Sequence, residues 1–155
     1  MTTTPHPANA QGYVLQPNDG ERIENLRLRV LATGAETDGS LLAAVATNPG
    51  PGGPPAHTHA AVDELYLVLQ GRYRFKIGDR EHEGGPGTFA YIPRGTCHSF
   101  ASVGPEEGRL FFVTLPGTEK FLEGMSELES RGADMQEMVD HFHAFQTEID
   151  GPPLV

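Results

Sequence analysis

Four side chains able to donate to a metal fall in two short stretches. His57 and His59 stand one residue apart in PAHTHAAVDELYLVLQG, Glu64 follows five residues later, and His98 lies in GTFAYIPRGTCHSF. Side chains at i and i+2 of a strand point to the same face, so His57 and His59 project together. Glu64 has an odd offset that one straight strand cannot place on that face. It reaches the same cavity if AAVD turns the chain and ELYLVL runs back antiparallel. Two imidazoles and a carboxylate form a partial shell for a first-row transition metal. Pro93 and Gly95 form a turn, and His98 just beyond it offers a fourth ligand. The plain alternative is a polar turn between two strands. The chain supplies a control in His141-Phe142-His143, also His-x-His but in a segment of helical period, where i and i+2 diverge by about 200° and cannot share a metal. His82 reads as a solvated turn residue and His6 as part of a terminal arm. Cys97 precedes His98, faces the other way on a strand, and reads as a small buried residue rather than a thiolate ligand.

The elements that must position these residues are short. In ENLRLRVL, Leu26, Leu28 and Val30 alternate with Arg27 and Arg29, the period of a half-buried strand. SLLAAVAT, AHTH, ELYLVL, RYRFKI, GTFAYIP, CHSFAS and RLFFVTL read as further strands. GAETDG, GDREHEGGP and VGPEEG read as turns, and NPGPGGPP as a proline-glycine corner. The period then changes. TEKFLEGMSELES places Phe121, Met125 and Leu128 on one helical face with Thr118 as N-cap, and DMQEMVDHFHAFQ does the same for Met135, Met138, Val139 and Phe142. About eight strands followed by two helices predict an all-β antiparallel barrel or sandwich with helices appended. Residues 1–12 are expected to be a disordered arm, 13–116 the barrel, and 117–155 a helical extension packed on it.

The 155 residues suit one domain with its own core. A net charge of −10, from 11 Lys and Arg against 21 Asp and Glu, argues against nucleic acid and an anionic membrane surface as partners. The single cysteine permits no internal disulfide, which fits a cytoplasmic location. MTTTPHPANAQ has neither a basic nor an apolar leader region, so no signal peptide is expected, and no run is long and apolar enough for a membrane helix. ELYLVL, SLLAAVAT and RLFFVTL are apolar on both faces. One face fills the barrel and the other needs cover, so a homodimer is expected.

Taken together, the two stretches resemble the paired motifs of the cupin superfamily. His57, His59, Glu64 and Gly71 fit the first motif, with Pro51 at its leading glycine position between Gly50 and Gly52. Gly87, Pro93, Gly95 and His98 fit the second, with Ser102 in place of an asparagine that is usually not a ligand. GPGGPPAHTHAAVDELYLVLQG, IPRGTCHSF, LPGTEKFLEGM and the final AFQTEIDGPP are similar to the single-barrel, quercetin-2,3-dioxygenase-like branch, over roughly residues 13–152. The resemblance implies a cupin double-stranded antiparallel β-barrel, jelly-roll-like, with C-terminal α-helices. It also implies one divalent metal per chain on His57, His59, Glu64 and His98: Ni, Fe, Mn, Co or Cu, with Zn sufficient for non-oxidative chemistry. The implied activity is a metal-dependent dioxygenase acting with O2 on a flavonol-like or other enolic or phenolic small molecule, with Glu64 as catalytic base. Alternatives are a metal-dependent cyclase or isomerase on a polyketide-like substrate, or a non-catalytic binding cupin.

Strand parity suggests the substrate wall. If Glu64 points inward, so do Tyr66 and Val68; if Phe75 does, so do Tyr73 and Ile77; His98 carries Phe100; and Leu110 with Phe112, or the opposite set Phe111 and Val113, completes it. Tyr66, Tyr73, Phe75, Phe100 and Phe112 are therefore the expected substrate contacts. The competing reading is that such aromatics are simply core.

Overall fold

Alternation along the chain becomes two facing antiparallel sheets in the computed structural model, which describes residues 12–154. The arm expected over 1–12 lies outside the described residues apart from Gly12. In chain order the elements are β1 (Glu21–Ile23), β2 (Leu28–Ala32), α1 (Gly34–Thr37), β3 (Leu42–Asn48), β4 (Pro55–His59), β5 (Asp63–Gln70), β6 (Tyr73–Ile77) and β7 (Arg80–Gly84). They continue with β8 (Phe89–Ile92), β9 (His98–Ser102), β10 (Gly108–Leu115), α2 (Glu119–Ser130), α3 (Met135–Ala144) and β11 (Thr147–Pro153). One sheet has the order β1-β2-β3-β10-β5-β8 and the other β11-β4-β9-β6-β7. The sheets face each other without joining into one closed hydrogen-bonded cylinder, so the expected barrel is a jelly-roll-like sandwich with two C-terminal helices.

Parity puts alternate side chains into the space between the sheets. On β5 Glu64, Tyr66 and Val68 are buried while Asp63, Leu65 and Leu67 are less so, and β10 alternates in the same way at Gly108, Leu110, Phe112 and Thr114. The core joins Leu28, Leu42, Ala44, Tyr66, Val68, Ala90, Ile92, Leu110 and Phe112 of the larger sheet to Tyr73 and Phe75 of the smaller. Leu110 is wholly buried, and truncating such a leucine to alanine costs about 2–5 kcal/mol. On the outer face Leu69, Phe89 and Tyr91 are exposed.

Several sequence expectations are revised. GDREHEGGP is not all turn: Arg80–Gly84 forms β7 against β6, so His82 is an exposed strand residue paired with Phe75. Arg80, Glu81, His82 and Glu83 of β7 are all exposed, and the resulting lack of an apolar alternation hid the strand. GAETDG contains the short α1, closed by a capping box between Thr33 and Glu36. The 117–155 extension is not helical throughout, because β11 pairs with β4 over Thr147–Pro153. TEIDGPP carries a Gly and two Pro that weaken a strand signal, yet as an edge strand it tolerates both. Thr118 occupies the N-cap of α2 without capping it; its hydroxyl is 3.0 Å from that of Thr114. Met135, assigned to the apolar face of α3, is exposed, whereas Phe142 is buried. Cys97 lies just before β9 and is half-buried. No helix among the described residues is long and apolar enough to cross a membrane.

Candidate metal centre

Glu64 reaches the histidines by a different route from the one its spacing suggested. β4 and β5 do not pair as a hairpin. β4 belongs to the smaller sheet and β5 to the larger, so AAVD crosses between layers and Glu64 faces the histidines from the opposite wall. The odd offset is then no obstacle, because the two strands have independent parity. β9 runs beside β4 with His57 directly opposite His98. The turn delivering His98 is fixed at two points. Gly95 adopts a φ of 79°, a left-handed conformation that glycine enters without a Cβ penalty, and its N–H donates to the carbonyl of His59. The Arg94 backbone N–H and guanidinium both donate to Asp63, the neighbour of Glu64.

The four residues are buried, and one ligand atom from each lies within 4.8 Å of the others. The donor set fits a metal, and the hydrogen bonds behind it show why. Nδ1 of His57 is 2.8 Å from the carbonyl of Pro55, and Nδ1 of His98 is 2.9 Å from that of Thr96. A carbonyl only accepts, so both Nδ1 atoms carry the proton. Nδ1 of His59 is 2.7 Å from the Thr147 hydroxyl, which itself donates to the carbonyl of Phe145 at 3.2 Å. That direction leaves the hydroxyl oxygen as acceptor, so His59 also carries its proton on Nδ1. In their neutral forms all three rings therefore present a bare Nε2 lone pair. Such outer partners orient metal-bound histidines and fix their tautomers.

Opposite these lone pairs, Glu64 Oε2 is 2.7 Å from His98 Nε2 and Oε1 is 3.4 Å from His59 Nε2. A neutral His98 protonated on Nδ1 would face the carboxylate acceptor-to-acceptor. A proton or a cation must lie between them. Burial by itself pushes the Glu64 carboxyl up, but contacts from His59 and His98 together outweigh it and hold it below the usual carboxylate range. Burial likewise works against a charged His98, and the bond and charge of Glu64 overcome it to raise its pKa. His57, desolvated and beside His98, is lowered to about 4 and stays neutral near pH 7. Tyr66 donates to Glu64 Oε2 at 2.8 Å. Burial and then the adjacent carboxylate push its phenol well above the ordinary value, so it remains a donor.

A cavity of about 590 Å³ opens onto this cluster. His57, His59 and Glu64 stand in its wall with Tyr66, Phe100 and Phe112, three of the five expected substrate contacts. Tyr73 and Phe75 are not part of that wall. They lie deeper in the core, where Phe75 packs on Tyr66 and the Tyr73 hydroxyl donates to Asn48. Parity gave their side of the sheet correctly, but Phe75 on β6 pairs with Phe100, one strand further from β4, and there it backs the wall rather than lining it.

The helices add Phe121, Leu122 and Met125 of α2 and Phe142 of α3, and Leu26, Leu28 and Ala46 close the side formed by β2, the residues just before it and β3. Phe121 meets the His59 ring edge-on at 6.2 Å, and Phe142 meets His57 at 6.4 Å. The apolar stripe of α2 was visible in the sequence; that it lines the cavity over the three-histidine, one-glutamate cluster was not. Thr147 was missed altogether, since a lone threonine after a helix carries no signal.

Comparison with known proteins agrees with this geometry. Residues 44–114 match the family model for the cupin domain (Cupin_2). A stretch of 99 residues is 30% identical to quercetin 2,3-dioxygenase of Bacillus subtilis (strain 168), covering 61% of this chain and 28% of that protein. The chain thus spans little more than a quarter of the curated relative it matches. Among solved structures, KdgF from Halomonas sp. superposes with a TM-score of 0.58 at 16% identity, over 72% of this chain and 98% of that one. The Schizosaccharomyces pombe Cnp3 cupin domain does so with a TM-score of 0.54 at 20% identity, over 81% and 84%. The fold and site define a β-sandwich built around a buried three-histidine, one-glutamate cluster. The chain matches the cupin domain over residues 44–114 and shares the cupin fold.

Proposed function

We propose that the protein is a metal-dependent oxygenase of the quercetin 2,3-dioxygenase type, acting with O2 on a flat phenolic or enolic small molecule. The observation that carries this reading is the junction of two unlike surfaces: an aromatic-walled cavity ends directly on a cluster of ionisable donors. The partial identity to quercetin 2,3-dioxygenase supports it. His57, His59, Glu64 and His98 would hold one divalent ion, which when bound supplies Lewis acidity toward a substrate hydroxyl and, for a redox-active metal, an electron path to O2. Phe100, Phe112, Phe121 and Phe142 give the cavity wall apolar ring surface against which a flat aromatic ligand can pack. Glu64 takes the hydroxyl proton. Tyr66 holds Oε2 in place during that transfer.

The test is O2 uptake by Ni-, Co-, Mn-, Fe- and Cu-loaded protein with quercetin as probe. Consumption of O2 together with loss of the flavonol absorbance supports the reading; stoichiometric metal with no O2 uptake across a panel of flavonols and simpler phenols counts against it. A second reading is a non-oxidative cyclase or isomerase working with zinc. It draws on the Tyr66–Glu64 pair, which places a proton donor and acceptor 2.8 Å apart at the cavity wall. A homodimer is proposed from the exposed Leu69, Phe89 and Tyr91 on the outer sheet face, and light scattering at a monomer mass over a wide concentration range would contradict it.

A further inference from the structure

The C-terminal strand touches the cluster at one atom. Gln146 adopts a φ of 54° at the end of α3, and this kink turns the chain from helix into β11. Its carbonyl accepts from the N–H of Ala60, just past β4, and the first strand residue, Thr147, lands directly opposite His59. The Thr147 side chain is 1% exposed. Its hydroxyl has two jobs in opposite directions: it donates to Phe145 O and accepts from His59 Nδ1. Both partners are needed. If Phe145 did not take the hydroxyl proton, the hydroxyl could donate toward His59 and hold the other tautomer.

We infer that Thr147 is a positioning residue of the metal centre, and that β11 acts as a tautomer lock on His59. The inference rests on the metal-centre reading. A neutral histidine keeps its proton where the better acceptor is. Thr147 offers that acceptor at 2.7 Å on the Nδ1 side, while Glu64 Oε1 stands at 3.4 Å on the Nε2 side. With the hydroxyl removed, Nδ1–H loses its partner in a buried site, and an unsatisfied buried donor is costly. The proton then moves to Nε2, where the carboxylate accepts it, and the lone pair a metal needs is consumed. Because β11 continues directly from α3, which contributes Phe142 to the cavity wall, the lock ties the helical cover of the cavity to one metal ligand.

The experiment compares Thr147→Val, which keeps shape and loses the hydroxyl, with Thr147→Ser, which keeps the hydroxyl. Nitrogen-15 histidine spectra of metal-free protein report the tautomer of His59, and Ni2+ titration reports affinity. The expected result is a protonated Nδ1 in wild type and Thr147→Ser, a shift toward a protonated Nε2 in Thr147→Val, and Ni2+ binding weakened about 10- to 100-fold in the valine variant alone. An unchanged tautomer and unchanged Ni2+ affinity in Thr147→Val overturn the inference while leaving the metal centre standing. A wild type that takes up no Ni2+ overturns the metal centre, and the tautomer spectra still decide the role of Thr147. Loss of Ni2+ binding with the tautomer unchanged assigns Thr147 a merely structural role and also overturns the inference.

Discussion

The chain contains two His-x-His sequences, and they behave in opposite ways. His57 and His59 lie on β4 with ring centroids 4.8 Å apart, both buried and both facing one carboxylate. His141 and His143 lie on α3 and part company. His141 stacks on Phe121 and its Nε2 donates to the Phe121 carbonyl, while His143 is exposed and faces Glu148 at 3.0 Å. The two share the spacing of their histidines, and what separates them is backbone period. A two-residue repeat aligns on a strand and splays on a helix. Ligation further requires a partner wall, and only β4 faces one, in Glu64 of β5.

The largest expected effect breaks this comparison directly. His57→Ala or His59→Ala removes a nitrogen donor and should abolish stoichiometric metal binding and any turnover. A His141→Ala/His143→Ala double variant should keep its full metal content, measured by elemental analysis after gel filtration. Next comes Glu64→Gln, which keeps an oxygen donor but loses the charge and the base. It should retain part of the metal and lose turnover. Full activity at unchanged metal content would rule out the base role.

A smaller, graded effect separates the histidines from one another by pH. Metal binding needs each ring neutral. His57, lowered to about 4, is already neutral near pH 7 and offers no competition from protons. His98 is raised by Glu64, so it holds a proton that the metal must displace. Affinity should therefore fall by about tenfold per pH unit once the pH drops below the His98 pKa, above the ordinary histidine value of about 6.5, and level off at higher pH. A titration across pH 5.5–9 at constant ionic strength, run over about that range, gives the profile. A flat profile through neutral pH would show that His98 carries no such proton. The smallest effect falls on the helical pair. His141→Ala removes one partly buried hydrogen bond between α3 and α2 and should cost about 1 kcal/mol in urea denaturation, with metal content unchanged.

The four donors were legible because strand parity, turn chemistry at Pro93 and Gly95, and donor type all act within a few residues. The route by which they meet was not. An odd offset between His59 and Glu64 fits a hairpin or a crossing between sheets, and only tertiary pairing chooses between them. Tyr66, Phe100 and Phe112 reached the cavity while Tyr73 and Phe75 did not, because parity fixes a face and says nothing about which strands of that face border the cavity. Thr147 stayed hidden for a different reason. Its role depends on a contact across 88 residues with His59, and neither period nor composition encodes such a contact.

The central claim is that β4, β5 and β9 build one metal site in which three Nε2 atoms and a carboxylate oxygen converge. Calorimetric titration of metal-free protein with Ni2+ in buffers of differing ionisation enthalpy tests it most directly. The account predicts one equivalent per chain, with proton release that grows as the pH falls into the range where His98 is protonated, and no stoichiometric binding in a His57→Ala/His98→Ala variant. Absence of a stoichiometric site in the wild type, or an undiminished site in that double variant, would contradict it.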